Sequence, residues 1–129
     1  MTISYLPQNP DFDPNNSVIK QVYKLIDVSE VNEYEIKAIL NKFGITNFEQ
    51  LIKELSGGQQ KRIALAITLL KPCDLLILDE PTNHLDQEIK KALAKAIKNY
   101  SSSAILVCHE PDFYQELVDH IIKIENCNF

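Results

Sequence analysis

Leu75, Leu76, Ile77 and Leu78 form an uninterrupted apolar run that ends abruptly in Asp79, Glu80 and Pro81. Such a run, with no polar alternation, reads as a strand of the parallel type covered on both faces. Parallel neighbours need a crossover, and a helix is the usual one. The flanking sequence supplies it on both sides. Upstream, a helix from about residue 57 to 70 carries Ile63, Ala66, Ile67 and Leu70 on one face and stops before Pro72. Downstream, Asp86 is placed to cap a helix whose apolar side is Ile89, Leu93, Ala96, Ile97 and Tyr100. Ala104 to Cys108 is a second strand of buried type. Pro111 suits the first turn of a helix reaching Val118, and Ile121 to Ile124 forms a last short strand. Strand and helix alternate, which predicts an α/β domain with a mainly parallel sheet.

The N-terminal third follows a different pattern. Ile3 to Leu6 makes a short strand that stops at Pro7, with Gln8 just beyond it. Residues 9 to 16 (NPDFDPNN) are turn chemistry. Ser17 can cap a first helix with Val18, Val22, Leu25 and Ile26 on its apolar side. Ile36, Ile39, Leu40 and Phe43 mark a second, closed by Gly44, and Phe48, Leu51, Ile52 and Leu55 suggest a short third. Residues 11–54 thus read as a small helical insert, with 1–10 and 55–129 belonging to the α/β core.

Composition bounds what the chain does. Its 129 residues suffice for one domain with a real core and not for two. The net charge of −5 argues against a broad electrostatic grip on nucleic acid or an anionic membrane surface. Lys90, Lys91, Lys95 and Lys98 therefore read as a solvated helix face. No apolar run approaches the ~20 residues of a membrane span. Cys73, Cys108 and Cys127 are widely spaced, odd in number and without metal-ligand spacing, the usage of a reduced, cytoplasmic protein.

Two stretches carry chemistry. In residues 55–62, LSGGQQKR, Ser56 can cap a helix while Gly57 and Gly58 leave its first N–H groups uncovered by any Cβ. A helix start of this kind presents N–H donors and the positive end of the macrodipole to an anion, and phosphate fits it. By itself the same tripeptide also serves as a plain helix start. Asp79 and Glu80 follow a strand at its carboxyl end, where ligands of open α/β sheets sit. An Asp there suits a hard cation such as Mg²⁺, and the adjacent Glu can polarise a water for attack on a phosphoryl group. His109 and Gln8 each stand just past a strand as well. A lone His in such a place is commonly structural, but four polar groups at separate strand ends favour one site.

These residues resemble the ATP-binding cassette (ABC) ATPases, whose fold is a P-loop α/β domain with a helical subdomain. LSGGQ is similar to the family's signature motif, LLILDE to its Walker B motif, TNHLD to its D-loop, the Gln of SYLPQNP to its Q-loop and the His of LVCHE to its switch histidine. The order is the family's, and the resemblance spans nearly the whole chain. It implies ATP and Mg²⁺ as ligands. Asp79 and Gln8 would support the metal, Glu80 would be the general base, and His109 would contact the γ-phosphate. Ser56, Gly57, Gly58 and Gln59 would meet the γ-phosphate of a nucleotide held by a second cassette. Asp86 and His84 would lie in the loop facing that cassette. TNHLD and the residues after His109 look most like the F-type (ABC-F) members, which act on ribosomes. Glu110, Pro111, Phe113 and Tyr114 depart from that subfamily's usual Asp-Arg-x-Phe-Leu, and Cys108 replaces its common Ser. A subunit partnered with a membrane-spanning transporter is the alternative, as is a non-catalytic module lending its signature to an intact cassette.

One expected element is missing from the sequence. A phosphate loop places two glycines five positions apart ahead of Lys and Ser/Thr. The three glycines here, Gly44, Gly57 and Gly58, do not stand in that relation to a Gly-Lys pair. The resemblance implies that this Walker A strand and helix precede Met1. The chain alone is then expected to be inactive, marginally stable, and to bare sheet edges and apolar surface.

Overall fold

The computed structural model describes residues 2–6, 10–26, 29, 31–83, 85–100, 103–115 and 117. Three strands, β1 (Ile3–Tyr5), β2 (Leu75–Asp79) and β3 (Ser103–Val107), form a sheet in the order β1-β2-β3. Both pairings are parallel, with Ile3 opposite Leu75 and Leu75 opposite Ser103. Between β1 and β2 come helices α1 (Val18–Leu25), α2 (Glu33–Lys42) and α3 (Gly57–Leu70). Helix α4 (Gln87–Lys98) connects β2 to β3, and one turn, α5 (Pro111–Tyr114), follows β3. The fold is α/β with a parallel sheet, as the alternation predicts.

Helix α3 is the centre of the molecule. The spacing predicts one apolar face, but every residue from Ile63 to Leu69 is buried, while Leu70 is only partly so. Being apolar nearly all round, the helix is enclosed: β1 lies on one side, α1 and α2 on the other. Its buried hydroxyl is satisfied within the helix, Thr68 Oγ1 donating to the Ala64 carbonyl at 2.7 Å. The Thr68 carbonyl in turn accepts from Ser4 Oγ on β1 at 3.0 Å, which locks helix to sheet. Ile89 and Leu93 of α4 join the same core.

Three expectations are corrected. The short third helix is instead a single 3₁₀ turn, Ile52–Glu54. Phe48 to Leu51 are not helical because the Phe48 and Gln50 carbonyls are used elsewhere. Val18 N–H donates to the Gln50 carbonyl at 2.9 Å and Ile19 N–H to that of Phe48 at 3.0 Å, so this segment caps the start of α1 alongside Ser17. Helix α5 ends at Tyr114 rather than running on; Val118 and the strand expected at 121–124 lie outside the described residues. Most consequential, neither β2 nor β3 is covered on both faces. Ser4, Leu6, Leu76 and Leu78 face α3 and are buried, whereas Ile3, Tyr5, Ile105 and Val107 on the opposite face are 45–56 % exposed. No described element packs on that second face, so of β3's apolar residues only Leu106 is packed against the core.

Candidate functional site

The three strands end on one side of the sheet, where Asp79, Glu80 and His109 are found. Asp79 closes β2, and Glu80 turns away from it with a backbone φ of +50°, in the left-handed region. That conformation costs a non-glycine residue roughly 1–2 kcal/mol. The surroundings hold it in place. Glu80 N–H donates to the Val107 carbonyl at 2.7 Å, extending the β2–β3 pairing by one step. The Glu80 carbonyl accepts from the Lys61 ammonium at 3.3 Å and from Asn83 N–H at 3.4 Å. The result aims the carboxylate across the strand tips, where Oε1 lies 3.0 Å from Nε2 of His109. Glu80 is mostly buried (17 % of its side chain exposed), His109 open to solvent (90 %). Strained backbone clusters at functional sites, and Glu80 fits that association.

A second knot fixes the loop that carries His109. Glu110 accepts from Thr82 Oγ1 at 3.0 Å and from the Lys90 ammonium at 2.8 Å. Thr82 is buried, and its hydroxyl also lies 3.7 Å from Cys108 Sγ. The hydrogen bond from Lys90, followed by that from Thr82, holds the Glu110 carboxyl below the usual carboxylate range. Three segments are thus tied around one carboxylate: the turn after β2, helix α4 and the loop after β3. Sequence reasoning missed this knot. It placed Lys90 on the solvated face, but Lys90 is half-buried and paired, while Lys91, Lys95 and Lys98 are exposed as expected. The departure of Glu110 from the family pattern was the available signal.

The glycine-opened helix start is present as well. Ser56 and Gln59 form a capping box: Ser56 Oγ accepts from Gln59 N–H at 3.1 Å and Gln59 Oε1 from Ser56 N–H at 2.9 Å. Gly57 is exposed, and a Cβ built on it would meet nothing within 4 Å. The box satisfies two donors and leaves the N–H groups of Gly57 and Gly58 at the end of a helix of 14 residues. Asp86 caps α4, its Oδ1 accepting from Ile89 N–H at 2.9 Å, and its side chain remains exposed. Gln8 and His84 lie outside the described residues.

The donor set can be tested against the ligands that the resemblance implies. Among the described residues no group of three or more His, Cys, Asp or Glu side chains could hold a metal ion. Mg²⁺ does not need such a cage, being held typically by one or two carboxylates plus substrate phosphates and water. Asp79 at a strand tip, beside Glu80, meets that requirement, and the uncovered start of α3 suits a phosphate. An open cleft of about 520 Å³, lined by Ile39, Leu70, Cys73, Ala96 and Tyr100, contains none of these residues.

Comparison with known proteins agrees with the fold and places the chain in a family. The family model described as "ABC transporter" matches residues 1–83, more than half of the chain. The chain belongs to this family of ATP-binding cassette proteins. It is 38 % identical over 95 % of its length to the uncharacterized ABC transporter ATP-binding protein YfmM of Bacillus subtilis, covering 24 % of that protein. To ABC transporter F family member 2 of Arabidopsis thaliana it is 37 % identical over 71 % of its length, covering 14 %. Among solved structures, "RNase-L Inhibitor" superposes with a TM-score of 0.76 at 31 % identity, over 91 % of this chain and 24 % of that one. An ATP binding subunit of an ABC transporter gives a TM-score of 0.78 at 17 % identity, which shows the shared fold. The chain spans about a quarter or less of the length of these curated relatives. Among the described residues no helix is long and apolar enough to cross a membrane.

Proposed function

We propose that this chain forms part of a cassette that binds and hydrolyses ATP between two cassettes. Glu80 acts as general base toward the attacking water. Its carboxylate is mostly buried, and His109 stands within hydrogen-bonding distance on the side where a γ-phosphate would lie. Asp79 and Gln8 support Mg²⁺, which neutralises phosphate charge when bound. Ser56, Gly57, Gly58 and Gln59 serve the opposite nucleotide: their helix start meets the γ-phosphate held by a second cassette, and Asp86 borders that contact. The observation carrying this reading is the 3.0 Å approach of Glu80 to His109 at adjacent strand tips. Two side chains 29 positions apart in sequence meet there, which supports this reading.

A second reading rests on a specific pair of observations. The sequence contains no phosphate loop, yet Gly57 is open to solvent. The chain would then act as a partner module that completes the site of an intact cassette through Ser56, Gly57 and Gly58. The ribosomal association of the F-type relatives, or coupling to a membrane-spanning subunit, follows the same logic for the larger protein.

ATP binding measured on the purified chain, alone and mixed with an intact cassette, separates these readings. Binding only in the mixture, with loss on Gly57→Trp, supports the module. In a longer protein that supplies a phosphate loop to this chain, Glu80→Gln should keep ATP binding and stop turnover. Normal turnover in that variant would rule out Glu80 as the base.

A further inference from the structure

Lys61 lies on α3, one turn on from Gly57. Although charged, it is only 8 % exposed. Its ammonium donates to the carbonyl of Glu80, the residue whose backbone is forced into the left-handed region. A methionine would fill the same space without desolvating a cation, so packing alone does not account for a lysine here. What the ammonium adds is a direct tie between the helix that opens at Gly57 and the turn that aims the Glu80 carboxylate. Asn83 N–H reaches the same carbonyl at a longer 3.4 Å, within the turn itself. Lys61 is the described side chain that joins this turn to α3.

We propose that Lys61 is a positioning residue for Glu80. It holds the turn so that the carboxylate faces His109, and it transmits displacement of the α3 start to that carboxylate. An anion seated on the Gly57 and Gly58 N–H groups would pull on α3, and the rigid helix would carry the shift one turn to Lys61. This second role rests on the anion site of the proposed function. The first does not, and the two are separable by experiment.

The test is heteronuclear NMR on the full 129-residue chain. Glu80→Ala gives the His109 ring shifts of an imidazole without its carboxylate neighbour. Lys61→Met should move the His109 ring signals most of the way to those values and shift the Glu80 amide, while Lys61→Arg stays near wild type. A purely space-filling Lys61 predicts the opposite: Met tolerated with both signals unmoved, which overturns the proposal. Should Lys61→Met not fold, the wild-type ammonium decides: a Nζ cross-peak with slowed proton exchange supports the tie, and its absence overturns it. Inorganic triphosphate is the probe for transmission. In the wild type the Gly57, Gly58 and Glu80 amides should shift together; in Lys61→Met or, failing that, Lys61→Gln, only the glycines should. Glycines that ignore triphosphate count against the anion site and leave the Lys61–Glu80 tie to the variant data. A Glu80 amide that follows the glycines equally in the absence of the Lys61 ammonium overturns transmission.

Discussion

Arg62 on α3 donates from Nη1 to the carbonyl of Phe43, the C-cap residue of α2, at 3.2 Å. The bond joins the end of α2 to α3 and satisfies a carbonyl that helix termination would leave orphaned. It also requires Gly44. This residue has a φ of +82°, and a Cβ on it would lie 2.8 Å from Arg62 Nη1. Gly44→Ala should therefore destabilise the chain by about 1–2 kcal/mol, mainly through the left-handed backbone. The Arg62 tip can shift aside, at the cost of its bond to Phe43. Chemical denaturation of the two proteins checks this, and an unchanged midpoint would contradict it.

The two faces of the sheet should respond differently to truncation. Leu76 is fully buried against α3, and Leu76→Ala should cost about 2–5 kcal/mol through lost burial and a residual cavity. Ile105, on the other face, is 49 % exposed. Ile105→Ala should cost no more than about 1 kcal/mol, since much of its surface already meets water. Equal losses would show that the second face is covered in solution, by self-association if the midpoint also depends on protein concentration.

This asymmetry marks the limit of what could be read from the sequence. Capping residues were legible because their chemistry is local: Ser17, Ser56 and Asp86 each accept the expected N–H at a helix start. The parallel sheet followed from the alternation of strand and helix. Burial was not local. Ser103–Val107 has the apolar pattern of a strand covered on both faces, and among the described residues one face lacks the cover, because pattern records what a strand can bury and not what lies over it. The segment 48–51 failed for a related reason. Its apolar spacing suits a helix, but Val18 and Ile19, far off in sequence, claim two of its carbonyls. Lys90 was misplaced because its partner, Glu110, is 20 positions away. The strain at Glu80 had no sequence signal, glutamate being an uncommon choice for a left-handed position.

The knot around Glu110 should make stability depend on pH in a definite direction. Its carboxyl titrates below the ordinary value of 4.5 in the folded protein. A depressed folded value means that the charged form is the stabilised one. The contribution is present in full above pH ~4.5 and is lost as pH falls through the folded value. Glu110 is 41 % exposed and Lys90 21 %, so solvent screening limits the pair to roughly 0.2–1 kcal/mol. Glu110→Gln should lower stability by that amount near pH 7 and by progressively less below pH 4.5. Denaturation curves of both proteins between pH 3 and 7 provide the measurement. A gap that widened toward acid pH would mean that the carboxylate is not stabilised by Lys90 and Thr82.

Substitution of Gly57 distinguishes a glycine kept for folding from one kept for binding. It occupies the first position of α3 with a regular helical backbone, and a Cβ there would meet nothing within 4 Å. Alanine is the better helix former by up to about 1 kcal/mol, less at a helix end than in its interior. Gly57→Ala should therefore leave the stability unchanged or raise it by several tenths of a kcal/mol. A methyl group would nonetheless stand beside the N–H groups that face solvent at the helix start, where an approaching phosphate must fit closely. The same variant should weaken triphosphate-dependent association with a second cassette, seen as a reduced effect of triphosphate on the Gly58 amide and a lower affinity in mixed-protein binding. A variant that is at least as stable yet binds more weakly identifies a glycine whose absence of side chain is used by a partner. If the variant is instead destabilised, the glycine serves the fold, and the helix start loses its claim to be a binding surface.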